Sequence, residues 1–285
     1  MPIRRFFIYA CLFVFTSAVC STATAYQWDA SLRFQQLEYD NKDQHKVYSL
    51  AVKAFIEPVD AKQGMYAEQA FLGRVSSVTA LATYHRLHGQ AHDASDIRGG
   101  GVSVTSMDKS SRLFLQSGYY HHKSKQGNVT GIKANTHFRN YWLRAGAFVG
   151  SKALLYGLLD YYEWSNLAAK EDEVALGMGL KVIHQNINLE MKVLNITYDE
   201  GVQDYVNKER ALKLDYYLNP ALSVGGQIEQ NRGEFRDDEY DEASLNIVGY
   251  LQERIYLGAE YVIHDMKSSS QEDAKQIVLF SGMRW

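Results

Sequence analysis

Apolar and polar residues alternate along the chain in short segments from residue 26 to the carboxy terminus. One face of the first segment carries Tyr26, Trp28, Ala30, Leu32 and Phe34, and the residues between them are polar. Successive side chains of a β-strand point to opposite faces, so this pattern predicts a strand with one apolar and one polar face. Later segments repeat the pattern. Counting them predicts an all-β protein of about 14 antiparallel strands, with roughly 12 to 16 permitted.

The connections between these segments are alternately short and long. Short turns are predicted near 107–110, 150–152, 184–186, 218–220 and 251–253, and polar loops separate the resulting hairpins. This alternation is typical of an up-and-down transmembrane β-barrel, which has short turns at one end and long loops at the other. Between Gly101 and Phe138 two registers fit. We take Val102–Ser106 as strand and Asn128–Thr136 as loop, and the opposite choice keeps the strand count.

The final segment has the pattern of a closing barrel strand. Ile277, Leu279, Met283 and Trp285 share one face, and the chain stops on an aromatic residue. Apolar residues facing lipid, with an aromatic at the interface, suit the last strand of such a barrel. We assign Leu279, Met283 and Trp285 as a signal for the barrel-assembly machinery. The same alternation would also suit the last strand of a soluble β-sandwich, so it does not decide between the two.

The amino terminus has the pattern of an export signal. Arg4 and Arg5 precede the uncharged apolar run Phe6–Val19, and Ala23-Thr24-Ala25 is a small-x-small cleavage site. The run is shorter than the ~20 residues that span a bilayer, which disfavours an anchor. We therefore predict a cleaved signal over residues 1–25 and a single outer-membrane barrel domain over 26–285. Both cysteines lie inside the signal, so the mature chain would have no disulfide and no thiol chemistry.

Composition narrows the function classes. The net charge of −3 gives no electrostatic basis for nucleic acid binding. No stretch after the signal is apolar enough for a transmembrane helix, but barrel strands need only alternate apolar residues. The chain has three prolines, and we place Pro58 and Pro220 in turns, where no strand hydrogen bond is lost.

Two segments resemble the general bacterial porins of Gammaproteobacteria. The first runs from Glu57-Pro58-Val59-Asp60 through Ala70-Phe71-Leu72 to Arg74-Val75-Ser76-Ser77-Val78. The second is Tyr216-Tyr217-Leu218-Asn219-Pro220 followed by Leu222-Ser223-Val224-Gly225. The resemblance implies a porin-like barrel in the bacterial outer membrane of a Gram-negative cell. It brings no site residues with it.

The segment between Glu57 and Arg74 does not have a strand pattern. Ala67, Ala70 and Phe71 have helical spacing. A short periplasmic helix or plug and a longer packed turn explain this spacing equally well.

The polar faces of the strands supply the candidate chemistry. They carry charges of both signs in similar number, including Asp29, Asp160 and Arg284. The predicted pore-lining residues are Arg33, Lys53, Arg112, Arg144, Lys181, Glu190, Lys192, Lys213, Asp215, Glu229 and Glu260. In a water-filled lumen they would set a transverse field and weak ion selectivity, whereas in a narrow barrel they would pair as a polar core.

The function we predict is passive diffusion of small hydrophilic solutes or ions, without enzymatic activity, cofactor or metal. Expected partners are outer-membrane lipids, lipopolysaccharide and the barrel-assembly machinery, and a homo-oligomer is left open. The first alternative is a barrel without an open pore, whether structural, adhesive, or of the lipase or protease type. His121, His122 and Ser124 lie close in sequence but lack a surrounding catalytic motif. The second alternative is a soluble periplasmic β-protein.

Overall fold

The computed structural model describes residues 25–40, 43–60, 65–88, 95–125, 135–165, 170–199, 204–233, 239–251, 254–267 and 273–285. The predicted signal peptide up to residue 24 lies outside these ranges, as does most of the predicted loop Asn128–Thr136. Within these ranges, no helix is both long and apolar enough to cross a membrane.

The described residues form one closed antiparallel barrel of fourteen strands, as the alternation predicts. Each strand pairs with its neighbours in sequence, and β1 pairs with β14 to close the ring. The strands are β1 Ala25–Tyr39, β2 Gln44–Asp60, β3 Ser77–His88, β4 Ser95–Met107, β5 Leu113–Lys125, β6 Asn135–Val149, β7 Ala153–Ser165, β8 Lys170–His184, β9 Ile187–Asp199, β10 Asp204–Asn219, β11 Leu222–Gly233, β12 Tyr240–Leu251, β13 Ile255–Met266 and β14 Ala274–Arg284. The single closed sheet replaces the two-layer sandwich considered above.

The outer face of the barrel is apolar and exposed. Leu245 is 72% exposed, Met178 64% and Leu279 50%, whereas Met283, predicted on the same face of β14 as Leu279, is only 3% exposed. A water-soluble protein rarely leaves so continuous an apolar surface open. The inner faces carry the charged and amide side chains, so the sheet has its polar side toward the lumen, as in barrels that lie in lipid.

The pairing of β1 with β2 is irregular near the amino terminus. The register shifts between Tyr26, which pairs with Val59, and Trp28, which pairs with Ala54. The extra β2 residues between these pairs include Pro58, which we had predicted in a turn. Proline is tolerated at such an interruption because no ladder hydrogen bond is required of it. The irregularity also separates Tyr26 from the apolar face predicted for it, because Tyr26 is buried inside while Trp28 is 43% exposed.

The turn between β4 and β5 corrects one predicted pore-lining residue. Asp108 accepts hydrogen bonds from the hydroxyls and backbone N–H groups of Ser111 and Ser110, which hold the pKa of its carboxyl well below the usual value. Arg112 is exposed and has a φ of 61°, and its carbonyl accepts from Phe148 N. Because β5 begins only at Leu113, Arg112 belongs to the turn and does not line the lumen. The alternation of inward and outward side chains in β5 holds only from Leu113 onward, so it does not apply to Arg112.

Glycines on the inner face make room for large aromatic rings of neighbouring strands. A Cβ added to Gly118 would lie 2.1 Å from the Trp142 ring, and one added to Gly179 would lie 2.3 Å from the Tyr156 ring. Each ring therefore lies flat against the wall of the lumen, over the glycine of the adjacent strand. Packing of this kind tolerates no added methyl group unless the ring moves.

We expect Gly118→Ala to lower the free energy of unfolding by about 1–3 kcal/mol, because the Trp142 ring must leave its position. The matched control is Gly249→Ala, since an added Cβ there meets nothing within 4 Å. Urea unfolding in detergent, followed by tryptophan fluorescence, measures both. Equal midpoints for the two variants would contradict the packing described for Trp142.

Candidate functional site

A short segment between β2 and β3 crosses the lumen at the end where the short turns lie. It comprises residues 65–72, with a 3-10 turn at Tyr66–Glu68 and helix α1 at Gln69–Leu72. Tyr66 N donates to the carbonyl of Pro220, which follows β10, at 3.1 Å. Strands β3 and β10 are seven places apart in a ring of fourteen, so the segment reaches the opposite wall. Of the two predictions for this segment, the structure favours the plug, and we call residues 65–72 the plug.

The plug carries a buried carboxylate that is held by the far wall. Glu68 is 8% exposed. It accepts hydrogen bonds from Lys181 Nζ at 2.7 Å, Asn188 Nδ2 at 3.1 Å and the Tyr217 hydroxyl at 3.3 Å. Asn188 Nδ2 also lies 3.1 Å from Asp215 Oδ2. A buried charge is stable only when it is paired and hydrogen-bonded, and these three partners from β8, β9 and β10 meet that need.

The plug also has an apolar face that fills one side of the lumen. The Phe71 ring lies 5.3 Å from that of Phe148, and Lys181 Nζ lies 4.8 Å from the centre of the Phe71 ring. Met65 and Phe71 belong to one buried cluster with inward side chains of β5 to β10. The wall members of this cluster are Phe114, Phe148, Leu154, Tyr156, Leu158, Ala175, Ile183, Leu194, Ile196 and Tyr217. The side of the lumen under β5 to β10 is thus closed by side-chain packing near the plug.

Arg284, the penultimate residue, contacts the plug from strand β14, across the lumen from the partners of Glu68. Its side chain is 6% exposed, its Nε donates to Asp29 Oδ2 at 3.0 Å, and its Nη1 donates to the carbonyl of Tyr66 at 2.6 Å. The guanidinium also lies 4.9 Å from the ring centres of Tyr26 and Tyr250. Sequence parity places Arg284 and Asp29 on the inner face, but nothing in the sequence signals their contact with the plug.

A cavity of about 360 Å³ remains in the lumen, directly against the plug. Its walls come from β1 and β10 to β14, and its floor includes Ala67 and Glu68 of the plug. Two ion pairs line it, Arg33 with Glu260 and Lys213 with Asp215, each with an N···O distance of 3.5 Å. This side of the lumen is therefore polar and open, in contrast to the packed side under β5 to β10.

Three of the remaining predicted pore-lining residues pair with side chains of other strands, adjacent ones for Lys192 and Glu229 and the next but one for Glu190. Glu190 accepts from the Tyr156 hydroxyl at 3.0 Å, and Lys192 pairs with Glu209 at 2.5 Å. Glu229 accepts from the Tyr240 hydroxyl at 2.5 Å.

Two more predicted residues stand apart from these pairs. Lys53 Nζ lies 5.9 Å from the Phe55 ring centre. Arg144 Nε is buried without a hydrogen-bond partner among the described residues. The structure thus shows positions for these side chains, while their role in permeation is still a prediction.

A cluster of histidines and aromatic rings on the inner wall, toward the long loops, was missed by sequence reasoning. His45 Nε2 and His85 Nδ1 are 3.2 Å apart, and the rings of His122 and Phe138 stack at 4.6 Å. Sequence analysis considers only His121 and His122, beside Ser124, and no local pattern brings side chains of β2, β3, β5 and β6 together. Among the residues that the structure describes, no group of three or more His, Cys, Asp or Glu could hold a metal ion.

The comparisons with known proteins find similarity at the level of fold. No protein-family model and no curated protein matches the chain. The outer membrane protein Omp33 of Acinetobacter baumannii is 15% identical with a TM-score of 0.58, covering 92% of this chain and 99% of that one. The TodX deltaS2S3 mutant monoaromatic hydrocarbon channel is 6% identical with a TM-score of 0.55, covering 92% and 91%.

A third solved structure, the anion-selective porin of Comamonas acidovorans, is 9% identical with a TM-score of 0.52 and covers 90% of this chain and 98% of that one. At such low identity these likenesses concern the fold alone. They agree with the porin-like barrel implied by the two sequence segments. The chain therefore has the fold of outer-membrane β-barrel proteins, a group that includes porins and channels.

Proposed function

We propose that this protein is an outer-membrane channel for the passive diffusion of small hydrophilic solutes and ions. The observation that carries the proposal is the charged cavity next to the plug, inside a barrel whose outer surface is apolar. Charged groups at half exposure in a lumen indicate contact with water. The apolar outer band needs a hydrocarbon environment, which the outer membrane supplies for barrels of this type.

The path for a solute runs along the walls formed by β10 to β14 and β1. The opposite walls are occupied near the plug by the apolar cluster around Phe71, Phe148 and Tyr156. Because charges of both signs line the open side, weak rather than strict ion selectivity is expected. Because the plug narrows the turn end, low conductance compared with a plug-free barrel of fourteen strands is expected.

Residues 26–285, refolded in detergent and added to a planar lipid bilayer, are expected to give discrete and repeatable single-channel current steps. Reversal potentials measured under a salt gradient would then report the selectivity. A barrel that keeps its folded mobility in unheated SDS but passes no current would contradict the channel.

A barrel without an open pore is the second candidate, and the plug is the observation that favours it. Glu68 and Arg284 hold the plug by buried contacts on opposite walls. The bilayer measurement separates the two candidates. Localisation in the outer membrane, association with lipopolysaccharide, dependence on the barrel-assembly machinery through Leu279, Met283 and Trp285, and any homo-oligomer are still predictions.

A further inference from the structure

We propose that the cavity next to the plug is a binding subsite for a small carboxylate, held between Arg33 and Lys213. The inference deepens the proposed channel function, since it names the solute class that the lumen retains. Arg33 lies on β1 and Lys213 on β10, and both line the same cavity of about 360 Å³. Strands β11 to β14 lie between them, so the two cations approach the cavity from two sides.

The exposed part of the two ion pairs is mainly positive. The side chain of Arg33 is 47% exposed against 23% for Glu260, and Lys213 is 41% exposed against 10% for Asp215. Both N···O distances are 3.5 Å, longer than the ~2.7–2.9 Å of a strong charge-assisted hydrogen bond. Lys213 is therefore only loosely engaged. Arg33 is held more firmly, because its Nε and Nη2 also donate to the side-chain oxygen of Gln35 at 3.1 and 3.0 Å, in the amide orientation that satisfies both ends of Gln35, and this leaves the N–H groups of Nη1 for a guest.

The third carboxylate of the cavity is already satisfied. Glu68 receives hydrogen bonds from Lys181, Asn188 and Tyr217, so its charge is compensated before any solute arrives. A carboxylate guest thus meets two exposed cations, whereas an ammonium guest meets carboxylates that are partly buried or already paired. This asymmetry favours an anionic group.

The rest of the cavity suits a short carbon chain. The guanidinium of Arg33 is a permanently charged donor, and such groups form strong hydrogen bonds with carboxylates. Tyr256 and Phe280 supply aromatic surface, and Asn246 supplies an amide. Pockets for small ligands combine such apolar surface with a few placed polar groups.

Three four-carbon probes test the chemistry on the refolded wild-type barrel in detergent. They are succinate, the neutral succinamide, and putrescine, which carries two positive charges. A ligand-observed NMR titration of their methylene protons gives each Kd without requiring any current. We expect succinate to bind about tenfold more tightly than succinamide, a difference of about 1.4 kcal/mol. Equal affinities, or tighter binding of putrescine, would overturn the proposal.

Variants locate the site. Arg33→Gln and Lys213→Gln should each weaken succinate binding about tenfold. Glu260→Gln should strengthen it severalfold, because it frees Arg33. The matched control is Lys192→Gln, which removes a lumen cation that pairs with Glu209 and does not line the cavity. Loss of binding in the control equal to that in Arg33→Gln would reduce the effect to general lumen charge and overturn the subsite.

The same samples keep the two proposals apart. Succinate binding by a barrel that passes no current would refute the channel and leave the subsite standing. A measurable single-channel current, together with equal Kd values for succinate and succinamide, would refute the subsite and leave the channel standing. Folded mobility in unheated SDS confirms that each variant forms the barrel before it is titrated.

Discussion

Replacing residues 65–72 by a short glycine-serine linker is expected to raise the single-channel conductance severalfold. The plug reaches from β3 to the opposite wall, and its removal takes Met65, Glu68 and Phe71 out of the lumen. Lumen width sets the current that a barrel passes, so the widened turn end should dominate the change. The loss of buried apolar groups should also destabilise the barrel, by about 2–5 kcal/mol for a large buried side chain. Planar bilayer recording measures the current, and urea unfolding measures the stability.

A single substitution with a close control isolates the role of the plug's charge. Glu68→Gln breaks an ion pair with Lys181 at 2.7 Å in which both side chains are at most 19% exposed. Glu57→Gln breaks a pair with Lys109 at the same distance, in which both side chains are about 60% exposed. Breaking a buried ion pair lowers the free energy of unfolding far more than breaking an exposed one. The first variant should show more frequent high-conductance openings, and the second should match wild type. Identical traces for both would mean that Glu68 does not secure the plug.

Strand number and facing were readable from the sequence because side chains alternate strictly along a strand. That rule places Arg33, Lys213 and Glu260 on the inner face. It fails where the backbone departs from regular pairing. Tyr26 turns inward because the β1–β2 register shifts, and Arg112 leaves the wall because it lies in a turn with a positive φ.

The side-chain contacts of these residues could not be predicted from the sequence, because they depend on the stagger between paired strands around the closed barrel. The contact between Glu68 and Lys181 joins residues 113 positions apart, and that between Arg284 and Tyr66 joins residues 218 apart. No local pattern encodes such separations. Helical spacing at Ala67 and Ala70 predicts the short helix of the plug but not its position across the lumen.

Arg284→Gln is expected to lower the free energy of unfolding by about 3–5 kcal/mol, because it leaves the Asp29 carboxylate, which is largely shielded from water, without its charged partner. The pair is 6% and 16% exposed, and the guanidinium also bonds to the carbonyl of Tyr66 and the Tyr250 hydroxyl. One side chain therefore joins the closing strand β14, strand β1 and the plug. Urea unfolding in detergent, with wild type alongside, measures the loss.

The matched control for this prediction is Arg33→Gln, which breaks a half-exposed pair with Glu260 at 3.5 Å. Such exposed pairs contribute only about 0–1 kcal/mol. In the double variant Asp29→Asn, Arg284→Gln, part of the stability should return, because no buried charge is left unpaired. If Arg284→Gln unfolds at the same urea concentration as Arg33→Gln, water reaches Asp29 and the plug is not sealed at this wall. Arg284 would then be one more lumen cation, and the turn end would be open around it.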